Sequence, residues 1–153
     1  MLRFQQIYQR AVARKGGEEA LRQLLPDDIK SPQQLADIRD DRYLSDMTRA
    51  IFKAGFVWKI IEHKWPGFEE SFWGFDVGRC AFMSPDDEDA LCVDTRIVRN
   101  RQKILTVPHN AVMITEIRKE HGSFGRFISD WPTEDFVGLL DYLGNHGARL
   151  GGM

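Results

Sequence analysis

Tyr43-Leu44-Ser45-Asp46-Met47-Thr48-Arg49-Ala50-Ile51-Phe52-Lys53-Ala54-Gly55-Phe56-Val57-Trp58 decides the fold class. Tyr43, Leu44, Met47, Ile51 and Phe52 recur at three- and four-residue steps, which puts them on one face of a helix. Asp40 or Asp41 stands ready to cap that helix. Gly55 interrupts the pattern, and Phe56-Val57-Trp58-Lys59-Ile60-Ile61 reads as a second helix that Pro66-Gly67 stops. A strand is the alternative for this short apolar run, and its periodic neighbours favour helix. The stretch is therefore two helices meeting at a glycine corner.

Towards the N-terminus, Phe4, Ile7, Tyr8, Ala11 and Val12 share a helix face that Gly16-Gly17 ends, and a short helix follows to about Leu25. Ser31-Pro32-Gln33-Gln34 reads as a helix start: cap, N1 proline and capping-box partner. Beyond the corner, Asp76 starts a short helix through Phe82. Ser84-Pro85-Asp86-Asp87 starts another, ending near Asp94. A long helix is expected from about Asn100 to His121, with Ile104, Val107, Ala111, Ile114 and Ile117 or Arg118 on one face and a kink at Pro108. Gly122 closes it, Ser123 caps a helix through Asp130, and Thr133 starts the last, carrying Phe136, Leu139, Leu140 and Leu143. No segment sustains the two-residue alternation of a strand. The expected fold is all-α, an irregular bundle of short helices within a single domain, 1–153.

With 153 residues and 42% hydrophobic content, the chain is long enough for one sizeable core but too short for a separate cofactor domain. A net charge of -2 excludes a polybasic nucleic-acid binder but not one local basic face. No apolar run is long enough to span a bilayer, so no membrane association is expected. The polar start, Met1-Leu-Arg-Phe-Gln-Gln, lacks the apolar stretch of a secretory signal, and the expected location is the cytoplasm. Cys80 and Cys92 cannot build a disulfide framework, and His63, His109, His121 and His146 lie far apart. There is no phosphate loop or dinucleotide fingerprint. Neither a metal nor another cofactor is expected, and no obligate protein partner is inferred.

Three segments are able to carry chemistry. Arg96-Ile97-Val98-Arg99-Asn100-Arg101-Gln102-Lys103 holds four cations and no acid, which suits phosphate; the plainer reading is a solvated turn balanced by Asp86 to Asp89. Phe52 to Trp58 surrounds the glycine corner. A bulky side chain there can wedge into a base stack and Trp58 can stack on a flat ligand; the plainer reading is core aromatics at a helix corner. The glycine-rich end, 144–152, can expose backbone amides to phosphate or form a loose tail.

Together these residues resemble the DNA-3-methyladenine glycosylase I family. Residues 43–58 look like its helix-turn-helix entry. The pattern continues through Phe68-Glu69-Glu70-Ser71-Phe72, Phe75-Asp76 and Met83-Ser84, then Thr95-Arg96-Ile97-Val98-Arg99-Asn100-Arg101-Gln102-Lys103-Ile104. Gly147-Ala148-Arg149-Leu150-Gly151-Gly152 resembles the start of the family's DNA-binding hairpin. The likeness covers roughly 35–152 and leaves 1–30 as divergent N-terminal helices. It implies a helix-hairpin-helix glycosylase that flips an alkylated base, such as 3-methyladenine, out of double-stranded DNA and cleaves its N-glycosidic bond. The family's pocket tryptophan maps to Trp58, with Phe52 beside it as a base-binding candidate. Phe56, next to Gly55, maps to the residue that fills the gap left by the flipped base. Arg99, Asn100, Arg101, Lys103, Gly151 and Gly152 complete the expected DNA contacts.

The sequence also departs from the family pattern. A glutamate that recognises the base in better-studied members falls at Ala50 when counted back from Trp58. The structural zinc ligands of that subgroup have no counterparts here, so the chain reads as a zinc-less branch. Family chains run on past the Gly-Gly at 151–152, so this one reads as C-terminally short. Asp46 and Glu62 flank the corner without a clear claim to be the catalytic anion. The leading expectation is a base-excision glycosylase. The rivals are a glycosylase-fold module that binds DNA or nucleobases without cleavage, and a helical interaction protein whose aromatics are all core.

Overall fold

The computed structural model describes residues 3–25 and 29–151, which form two compact units, Met1–Ser31 and Pro32–Met153. The first holds α1 (Phe4–Lys15) and α2 (Glu18–Arg22). Tyr8 donates to Glu18 Oε1 at 2.7 Å, tying the two helices together.

The second unit runs α3 (Pro32–Asp37), α4 (Asp40–Lys53), α5 (Trp58–Ser71), a 3-10 turn (Trp73–Phe75), α6 (Val77–Ala81), α7 (Pro85–Val93), α8 (Arg101–Ile104), α9 (Thr106–His121), α10 (Phe124–Asp130) and α11 (Phe136–His146). Among the described residues every element is helical, so the fold is all-α, an irregular bundle of short helices. None of these helices is long and apolar enough to cross a membrane.

The core forms around α9, which buries Val107, Ala111, Ile114 and Ile117 and is packed by α4, α6, α8 and α10. Against it lies an aromatic layer. Phe68 stacks on Trp65 at 4.9 Å and meets Phe52 edge-on at 4.7 Å, and Phe72 stacks on Phe75 at 5.3 Å. These rings are all buried. Removing so much aromatic area from water is the main stabilising contribution of this layer.

Local rules account for the boundaries. Ser84 and Asp87 form the capping box at α7, and Arg79 grips Asp87 with two bonds of 2.9 and 2.7 Å. Asp76, Ser123 and Asp135 accept the N3 amides of α6, α10 and α11. The last helix is thus capped two residues beyond Thr133. Asp40 does not cap α4; it lies in its first turn and accepts the Phe124 N–H of α10 at 2.9 Å, joining two helices distant in sequence.

Two expectations about proline are corrected. Pro66 does not stop α5, which continues to Ser71. Gly67 is the residue with a reason to be small: a Cβ there would lie 2.6 Å from the Arg96 carbonyl oxygen. The single helix expected over 100–121 is divided at Leu105 into α8 and α9. Pro108 falls in the first turn of α9, where the amide it lacks is not needed within that helix, so its cost is small.

Candidate functional site

α4 ends at Lys53 and α5 begins at Trp58, and Gly55 makes the corner between them with φ +68°. Nothing lies within 4 Å of where its Cβ would be, so glycine is required for backbone conformation rather than for space. The corner pushes Phe56 and Trp58 outward, 42% and 66% exposed.

Lys103 braces this corner. Its Nζ donates to Ala54 O at 2.6 Å and Phe52 O at 3.1 Å, supplying a cation to the carbonyls that end α4. Burial and the nearby Arg149 hold its pKa below the usual lysine value. Lys103 was expected at phosphate; its ammonium instead faces the backbone of the corner, because that is where unpaired acceptors lie.

Beside Trp58 runs a groove of about 430 Å³ lined by Asp46, Arg49, Ala50, Lys53, Ala54 and Trp58. Lys53 pairs with Glu62 and sits 5.5 Å from the Trp58 ring centroid, a cation–π distance. The bond from Lys53 outweighs burial and keeps the Glu62 carboxyl below its usual pKa. Phe52 is not part of this groove. It is 1% exposed and enclosed by the core, so no base can lie on it. Its periodicity on α4 was the sign that it belonged to the core face.

The basic segment separates into individual roles. Arg96 bonds Asp94 at 2.7 Å and lies 3.2 Å from Glu70. Its hydrogen bonds pull the Asp94 pKa down to about 2. Arg101 bonds Asp89 at 2.9 Å, with Glu88 at 3.8 Å. Asn100 caps α8 by accepting the Lys103 N–H at 3.1 Å. Arg99 is exposed and has no ion-pair partner among the described residues. Of the four expected contacts at 99–103, Arg99 alone is an uncommitted cation, and Arg101 is exposed but already paired.

The glycine-rich end is fastened rather than loose. Asn110, fully buried on α9, accepts the Ala148 N–H at 2.7 Å and donates to Ala148 O at 3.2 Å. Arg149 donates to Gln102 Oε1 at 2.8 Å. Gly151 passes so close to Gly144 that a Cβ on it would lie 2.9 Å from the Gly144 Cα. Gly152 lies outside the described residues. The corner, α8 and the end of the chain are therefore linked through Lys103, Gln102 and Arg149. Sequence reasoning missed Asn110, although a polar residue one turn from Val107 on the buried face was a readable signal.

Among the described residues no three His, Cys, Asp or Glu converge as metal ligands. Burial pushes the Cys80 thiol up to about 12, too high for a thiolate nucleophile at neutral pH.

A family model described as methyladenine glycosylase matches residues 36–137. A solved 3-methyladenine DNA glycosylase I from Staphylococcus aureus is 24% identical, with a TM-score of 0.64, covering 73% of this chain and 69% of that one. Another 3-methyladenine DNA glycosylase I is likewise 24% identical, with a TM-score of 0.61, covering 75% and 74%. A third, in complex with 3-methyladenine, gives a TM-score of 0.64 at 24% identity, covering 74% and 70%. At this identity the structural likeness speaks to the fold. Among curated proteins no match was found.

Proposed function

The chain belongs to the methyladenine glycosylase family, and from that premise we propose that it excises alkylated bases from double-stranded DNA. The observation that carries this reading is the exposed pair Phe56 and Trp58 on a braced glycine corner. A core function would bury them. In the proposed complex, Phe56 enters the space vacated by a flipped nucleotide and Trp58 stacks on the base in the adjoining groove. Arg99 contacts backbone phosphate, and Arg101, exposed beside its partner Asp89, is a second contact.

The chemistry asked of the protein is modest. N3-alkylation makes a purine cationic while it is still attached to the sugar. Breaking the C1′–N bond returns the bonding electrons to the ring and neutralises it, and water then adds its oxygen to the sugar carbon and loses a proton. A carboxylate near C1′ favours the oxocarbenium-like sugar electrostatically. Asp46, on the groove wall, is one candidate; Glu62, held ionised by Lys53, is another.

A second reading rests on Ala50. It lines the groove at the position where the family's base-recognising glutamate is expected. Without that carboxylate, the groove suits a module that binds DNA or a nucleobase without cleaving. Chromatography of bases released from methylated duplex DNA separates the two. Release above the spontaneous rate supports the enzyme; binding to the duplex with no release supports the module.

A further inference from the structure

The groove beside Trp58 contains a cation, Arg49, that has no hydrogen bond or ion pair among the described residues. Arg49 lines it from α4. The guanidinium carbon lies 4.6 Å from the centroid of the Trp65 ring, and its Nε is buried without a hydrogen-bond partner. Keeping the Nε–H from an acceptor costs free energy, and the remaining N–H donors of the guanidinium are free to meet a ligand in the groove. Two neighbouring carboxylates are taken. Glu69 accepts from Arg42 at 2.9 Å, Ser45 at 2.6 Å and the Trp65 indole at 3.2 Å, and Glu62 pairs with Lys53. Of the other groove side chains, Asp46 alone is an acceptor. Ala50 and Ala54 have no polar side-chain atom, and Asp46 is exposed to water.

We infer that Arg49 donates to a carbonyl oxygen of the base lodged against Trp58, and that the groove therefore selects oxo-purine lesions over amino-purine ones. The inference rests on the glycosylase reading and narrows its substrate class. A purine carries either a carbonyl oxygen or an amino group at position 6. Arginine bonds the carbonyl and the neighbouring ring nitrogen together, whereas the amino group meets it donor to donor. Adenine-type lesions need an acceptor against the base; position 50 supplies none, and the groove's one carboxylate, Asp46, is exposed to water.

The test uses duplex DNA carrying both 3-methylguanine and 3-methyladenine, with released bases resolved by chromatography. The wild-type chain is expected to favour 3-methylguanine by about tenfold, the scale of one such discriminating pair. Arg49→Gln should bring the ratio near one while 3-methyladenine is still released. A wild-type preference for 3-methyladenine, or an unchanged ratio in Arg49→Gln, overturns the inference and leaves the glycosylase reading standing. If Arg49→Gln instead weakens DNA binding and lowers both rates together, Arg49 holds phosphate and the inference fails. Release of neither base overturns both readings. Should Arg49→Gln not fold, the affinities of the wild type for the two free bases decide, read by tryptophan fluorescence. Tighter binding of 3-methylguanine supports the inference; equal or reversed affinities overturn it.

Discussion

Lys103 Nζ lies 2.6 Å from the carbonyl oxygen of Ala54, across 49 residues of sequence, and this bond fixes the glycine corner to α8. The same ammonium reaches Phe52 O. Lys103→Met keeps the aliphatic stem and removes both bonds. We expect a loss of about 1–2 kcal/mol of stability by denaturant titration. Lesion binding should fall further than stability does, because the corner that aims Phe56 and Trp58 loses its brace.

Gly55 carries φ +68°. Gly55→Ala places a Cβ in a left-handed conformation and should cost about 1 kcal/mol, with Gly55→Asn tolerated better. Thermal unfolding of the two variants checks the order.

Trp58 and Phe52 should behave oppositely. Trp58 is 66% exposed and Phe52 1%. Trp58→Ala should change stability by only about 0.5 kcal/mol while abolishing base binding. Phe52→Ala should cost about 3–5 kcal/mol. A large stability loss in Trp58→Ala would return that residue to the core and remove the groove's stacking platform.

Acid stability should carry the mark of Asp94. The hydrogen bonds from Arg96 lower its pKa from 3.8 to about 2 in the fold. The folded protein therefore holds this proton less tightly than the unfolded chain does. The stabilisation is complete above about pH 4 and is lost as the pH falls through about 2. Asp94→Asn should flatten the stability profile across that window. An unchanged slope between wild type and variant would contradict the assignment.

Much of this was legible in the sequence because it follows local rules. The Ser84 and Ser123 caps depend on neighbours three residues away, and the Tyr43–Phe52 face of α4 on helical periodicity alone. The errors came from tertiary contacts. Asp40 read as a cap for its own helix and serves α10 instead, because the Phe124 amide is packed beside it. Pro66 read as a stop, but α5 continues past it. Lys103 read as a phosphate ligand, since a sequence does not reveal that two carbonyls end a helix next to it. Within the candidate site, Gly55, Phe56 and Trp58 were readable from one short motif. Arg49 was not: its significance lies in the partner it lacks.

Arg99 is the cation left uncommitted in the basic segment. If it holds one phosphate, Arg99→Gln weakens duplex binding about equally for all sequences and lowers the salt slope by about one. An identical slope would remove Arg99 from the interface.

In the proposed excision, the corner carrying Phe56 and Trp58 delivers the alkylated base. The most direct test of this role is the release of methylated purines from methylated duplex DNA by the wild-type chain and by Trp58→Ala, both confirmed folded. Release by the wild type is expected well above the spontaneous rate, and release by Trp58→Ala at that background rate. Equal release by the two proteins, or none by either, would contradict it.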